Sequence, residues 1–155
     1  MNPIRRILVV SRMTQYCREA VEQGISLATQ YQGELFVLHV VHNPFGYEGW
    51  NLPIVSLEKD YQKLLVETRA ALDQMVEAAR AKGLSATVLI SEGDPTKEVL
   101  AAVKAHQIDL MILLAHDEGR IEHLFFNRSN NDLIRHLPCS VMLVKKEPQP
   151  VNGWA

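Results

Sequence analysis

Cysteine is nearly missing from this chain of 155 residues: Cys17 and Cys139 are the two present, far apart and in no CxxC pattern. That excludes a disulfide scaffold and a cysteine-based zinc site, and leaves each thiol as a small buried or half-buried hydrophobe. An excess of charge of one sign is missing too. Sixteen Lys and Arg stand against 18 Asp and Glu, a formal net charge of −2, so no overall field draws the chain to nucleic acid or to an anionic membrane surface. Long apolar runs are also absent. The longest clean one, Leu110–Ala115, is far short of the roughly 20 residues that span a bilayer. The opening MNPIRRILVV lacks a complete signal-peptide apolar region and cleavage site, so the expected location is cytoplasmic, with no membrane partner. No internal repeat is visible.

What is present is a composition 47% hydrophobic, enough for one domain around a single substantial core. RILVVS and ELFVLHVV are short apolar runs bounded by charge and read as buried strands. Between them Cys17, Ala20, Val21, Gly24, Ile25, Ala28 and Tyr31 recur at three- and four-residue spacing, which lines one face of a helix ending near Gly33. The segment from His42 to Pro53 holds four Gly and Pro residues beside Phe45, Tyr47 and Trp50 and reads as a loop with an aromatic tip. From about Val55, the positions Leu57, Tyr61, Leu64, Leu65, Thr68, Leu72, Val76 and Ala79 keep helical phase as far as Gly83, a residue suited to a left-handed C-cap. A third strand in SATVLISE leads to a helix with Asp94 as N-cap and Pro95 in its first turn. IDLMILLA is the fourth strand, apolar enough to be covered on both faces. Asn130 to His136 reads as a helix, with Ser129 and Asp132 spaced like a capping box, and CSVMLVKK is the fifth strand.

Five strands alternating with four helices predict an α/β fold: a parallel, doubly wound sheet with right-handed crossovers. Ligands in such sheets bind outside the carboxyl ends of the strands, where the strand order reverses. The loops to inspect therefore follow the first, second and fourth strands.

Five pieces in order, RRILVV with REAVEQGISLA, GELFVLHVV, GDPTKEVLAAVKAHQIDLMILLA and LIRHLPCSVMLVKK, together resemble a universal stress protein domain. The likeness covers roughly residues 4 to 146, which makes 1–147 the expected domain and 148–155 a C-terminal tail. It implies a three-layer sandwich of the adenine nucleotide alpha-hydrolase-like kind, with sheet order 3-2-1-4-5. It also implies a homodimer joined through the last strand, at Ser140, Val141, Met142, Leu143 and Val144. An exposed apolar edge strand gives such pairing a physical motive of its own.

Many members of that family bind ATP through a loop patterned G-x-x-G-x(9)-G-[ST] after the fourth strand. In this chain Leu114 and Asp117 stand where the first two glycines belong, and Asn127 and Arg128 where the final pair belongs. Glycine matters in such a loop because backbone N–H groups must approach phosphate oxygens closely, and a Cβ obstructs them. Asp117 adds repulsion: at about 4 Å and an effective dielectric of roughly 20, two like charges cost about 4 kcal/mol, on the order of three decades in affinity. The resemblance also implies an aspartate at the end of the first strand that contacts the nucleoside. Arg12 stands there, and a guanidinium cannot accept hydrogen bonds.

The resemblance thus implies a degenerate nucleotide site formed by Val10, Ser11, Arg12, Val40, Leu114, His116, Asp117, Asn127, Arg128 and Ser129. Two readings of it stay open. In one it holds no cofactor and the chain is a non-enzymatic stress-response regulatory or interaction module, since no nucleophile–base pair, carboxylate pair or metal cluster marks a catalyst. In the other it is a nucleotide or small-anion sensor for ATP or AMP, with Arg12, Arg128 and the backbone at Val10 and Val40 replacing the glycine cradle. Arg12, Arg120, Arg128 and His116 supply cations for an anion clamp, or else pair with Asp117, Glu118 and Glu122. His116 and His123 fit no familiar metal spacing, and His39 reads as a satisfied sheet histidine.

Overall fold

The computed structural model of the chain describes residues 3–11, 17–41, 55–115 and 137–145. In chain order they form β1 (Arg6–Ser11), α1 (Cys17–Tyr31), β2 (Glu34–Val41), α2 (Val55–Ala81), β3 (Ser85–Glu92), α3 (Pro95–Ala105), β4 (Leu110–Ala115) and β5 (Ser140–Lys145). The strands make one sheet in the order β3-β2-β1-β4-β5, every neighbouring pair parallel. This is the predicted topology. The helix expected over residues 130–136 and the aromatic loop around Trp50 lie outside the described residues.

Strand periodicity of two sorts the core into two layers. Ile7, Val9, Leu35, Val37, Leu110, Ile112 and Leu114 face α1 and α2, where Ala20, Val21, Ala28, Leu72 and Val76 meet them. Leu8, Val10, Phe36, Leu38, Met111 and Leu113 point the other way, against Val99, Ala102 and Val103 of α3. From Leu110 to Leu114 every residue of β4 is buried, as its unbroken apolar run requires of a central strand. Gly24 sets how closely α1 seats on the sheet. A Cβ there would lie 2.5 Å from Val9 Cγ2 and 3.0 Å from Leu35 Cδ1, and Val9 is both fully buried and stiff at χ1.

Among the described residues, two positions on the predicted helical stripes turn out exposed. Tyr31 is 46% exposed at the last turn of α1, and Leu64 is 50% exposed while Leu65 beside it takes the inward place. Helix ends differ in one respect from their expected form. Each of the three described helices closes with a six-to-one backbone bond, Gly33 N to Ala28 O at 2.9 Å, Leu84 N to Ala79 O at 3.1 Å and Ile108 N to Val103 O at 3.0 Å. The left-handed residue in these caps is Gly83 after α2, as predicted, but Gln32 after α1 and Gln107 after α3. Gly33 has another duty: Arg5 O occupies the place of its missing Cβ and accepts from Glu34 N at 2.7 Å.

Asp109 ties together the starts of three strands. Its carboxylate accepts from Arg5 N at 2.9 Å and Arg6 N at 2.8 Å, its own N–H donates to Arg6 O at 2.9 Å, and its carbonyl accepts from Ser140 N at 3.1 Å. That fixes the amino ends of β1, β4 and β5 against one another.

Candidate functional site

The strand order reverses between β1 and β4, and there the paired register stops early. Among the described residues, β1 and β4 pair from Ile7↔Leu110 to Val9↔Ile112. By contrast β1 stays with β2 up to Ser11↔His39, and β4 stays with β5 up to Ala115↔Lys145. Past Val9 and Ile112 each strand is held by its outer neighbour. This is the crevice at which open parallel sheets take ligands. Val10 and Ser11 end one wall; Leu113, Leu114 and Ala115 end the other.

The walls are dry at their base. Val10 and Leu113 are buried in the layer under α3, while Leu114, 4% exposed, is buried in the layer under α1 and α2. Ser11 is buried as well. Its carbonyl lies 3.0 Å from His39 Nδ1, and because a carbonyl can only accept, Nδ1 must carry the proton. This cross-strand bond braces the end of β1 against β2 beside the half-buried Val40. Sequence reasoning treated His39 as a satisfied sheet histidine, which it is, and missed its place at the crevice. That place follows from the Ser11↔His39 register, for which the sequence carries no local signal.

Two further contacts define the surroundings. Tyr61, buried on α2, has its phenol pushed up to about 12 by burial first and then by the nearby carboxylate of Glu92 at the end of β3. The N-terminus of α3, also at this end of the sheet, is capped from within: Asp94 accepts from Lys97 N at 2.9 Å, and Pro95 needs no partner for a missing N–H. Both cysteines behave as hydrophobes. Cys17 is 1% exposed, and burial pushes the thiol of half-buried Cys139 up, Asp109 adding to the effect and a backbone bond from Met111 opposing it.

Of the predicted site residues, Val10 and Ser11 end β1, Val40 lies near the end of β2 and Leu114 near that of β4, with Val10 and Leu114 in opposite core layers. Arg12, His116, Asp117, Asn127, Arg128 and Ser129 lie outside the described residues, as do Arg120 and His123.

No curated protein matches the chain. Solved structures do. The universal stress protein UspA from Lactobacillus plantarum is 22% identical, with 93% of this chain and 99% of that one covered and a TM-score of 0.66. A universal stress protein from Archaeoglobus fulgidus in complex with dAMP is 11% identical, with 94% and 100% covered and a TM-score of 0.60. A universal stress protein family protein from Arabidopsis thaliana with AMP bound is 15% identical, with 96% and 97% covered and a TM-score of 0.57. At such identities the likeness establishes the fold. The sequence model of the universal stress protein family, however, matches residues 3–145, nearly the whole chain. The chain belongs to the universal stress protein family.

Proposed function

We propose that this chain is a non-enzymatic regulatory or interaction module of the stress response, cytoplasmic and homodimeric, whose nucleotide site no longer holds a triphosphate. The observation that carries this reading is Leu114. It stands where the family loop begins with glycine, and its side chain is 4% exposed in the core beneath α1 and α2. A glycine there would bring bare backbone to the crevice; this leucine brings a bulky hydrophobe that belongs to the sheet. Asp117 adds a charge that repels phosphate, and Arg12 puts a donor where the family's aspartate would accept from the nucleoside. The site so altered comprises Val10, Ser11, Arg12, Val40, Leu114, His116, Asp117, Asn127, Arg128 and Ser129, within a domain of residues 1–147 followed by a tail, 148–155.

The dimer uses β5. It is an edge strand, and Val141 and Leu143 are 44% and 54% exposed on it, an apolar edge that a second copy would cover across Ser140 to Val144. The balanced charge supports neither nucleic acid nor a membrane surface as partner, and among the described residues no helix is long and apolar enough to cross a bilayer.

A second reading is favoured by the crevice itself and by the relatives that hold AMP and dAMP. A monophosphate asks for less of a phosphate cradle than ATP does, and Val10, Ser11 and Val40 leave the ends of β1 and β2 placed to meet a nucleoside. In this reading the chain is a nucleotide sensor, with Arg12 and Arg128 balancing the charge. Calorimetric titration with ATP, AMP and cyclic AMP separates the two. The interaction-module reading requires no sub-micromolar binding by any of them, and the sensor reading requires it from at least one.

A further inference from the structure

The two edges of this sheet are treated differently. Along β3, alternate carbonyls point away from β2, toward open space. Two of them are occupied: Arg80 Nε donates to Ala86 O at 2.9 Å, and Arg69 Nη1 donates to Val88 O at 3.4 Å. Both arginines come from α2, eleven residues apart, which puts them on one side of that helix. Arg80 is itself fixed, its Nη1 lying 2.8 Å from Asp73 Oδ1 and 3.9 Å from Glu77 Oε2. Along β5, no described residue donates a side-chain hydrogen bond to the outer edge, and Val141 and Leu143 stand exposed.

The sequence of β3 makes such cover necessary. Thr87, Val88, Leu89 and Ile90 form a run of high strand propensity and no charge, the composition that pairs readily with a second strand when its edge is bare. A guanidinium bonded to an edge carbonyl occupies the acceptor that an incoming N–H would need, and sets a positive charge where a second strand would lie. Two identical edges approaching each other would also bring arginine against arginine.

We propose that Arg69 and Arg80 close the β3 edge against a second copy of this chain, so that self-association is confined to the β5 edge. The guard on β3 stands whether or not β5 pairs; the confinement to β5 rests on the dimer proposed above. An opened β3 beside a paired β5 would leave two joining edges per chain, a contact that propagates into open polymers and does not stop at a pair.

The test is the Arg69→Ala/Arg80→Ala double variant of the full chain, followed by size-exclusion chromatography with light scattering over a concentration series, with circular dichroism and a thermal melt to confirm folding. The expected result is a concentration-dependent mass at least twice that of the wild type at the same concentration. Adding Ala86→Pro returns it to the wild-type mass, because proline removes an outward N–H and leaves the bonds to β2 untouched. A folded double variant with the wild-type mass overturns the proposal, and so does association that survives Ala86→Pro. Should the double variant not fold, Arg69→Ala alone, with Arg80 still bonded to Asp73 and Ala86, carries the same test: a raised mass supports the guard and an unchanged one refutes it. A wild-type chain that runs as a monomer would instead sink the β5 dimer, and leaves the comparison between variant and wild type intact.

Discussion

Replacing Leu114 with glycine restores the residue with which the family's nucleotide loop begins, and its cost follows from where the side chain lies. Leu114 is 4% exposed and packs with Val9, Ile112 and the α1 and α2 side chains of one core layer. Full burial of a leucine side chain is worth about 1.5–3 kcal/mol. The cavity left behind adds to this, since Leu→Ala changes at buried sites run to about 2–5 kcal/mol in all. Glycine inside a strand costs roughly another 0.5–1 kcal/mol relative to alanine. We therefore expect Leu114→Gly to lose about 3–6 kcal/mol in urea denaturation, and its melting temperature to fall by roughly 10–20 °C for a chain of this size. Nucleotide affinity should not rise in exchange, because Arg12 and Asp117 remain. A loss below about 1 kcal/mol would refute the reasoning: it would mean that Leu114 is not part of the core and that the crevice beside it is open to a ligand.

Gly24→Ala should destabilise by about 1–3 kcal/mol, as overpacking does, because the added carbon meets Val9 and Leu35 at 2.5 and 3.0 Å; an unchanged urea midpoint would contradict the close seating of α1. Gln32→Gly should raise stability by about 0.5–1 kcal/mol, since Gln32 holds φ at 52° in a region that favours glycine. Tyr61, whose ordinary value of 10.0 is raised to about 12, should ionise well above pH 10, as the phenolate absorbance lost on Tyr61→Phe would report. Below pH 10 both the folded and the unfolded chain keep that proton. Between about 10 and 12 the unfolded chain has lost it and the folded chain has not, so stability falls across that window as pH rises. Tyr61→Phe should flatten the fall, and an equal slope in the variant would count against the burial of the phenol.

The fold was legible because its signals are periodic. The apolar runs RILVVS and ELFVLHVV, bounded by charge, and the solid run of LMILLA placed β1, β2 and β4 correctly, and the Asp94–Pro95 start of α3 carries its own chemistry. Where the reading slipped, two apolar residues competed for one place, as Leu64 and Leu65 do, or a helix ran past its cover, as at Tyr31. The caps at Gln32 and Gln107 were invisible because glutamine has no preference for positive φ. Arg69 and Arg80 carry no local signal of their role, because their acceptors on β3 are set by tertiary packing. Of the candidate site, the strand ends were legible: Val10 and Ser11 close β1, Val40 lies near the end of β2 and Leu114 near that of β4. The His39 bond to Ser11 O was not, since it links two residues that are neighbours only through sheet register.

The most direct test of a site without a phosphate cradle is isothermal titration calorimetry of the purified full chain with ATP. The account predicts no binding in the sub-micromolar range. A sub-micromolar dissociation constant for ATP would contradict it.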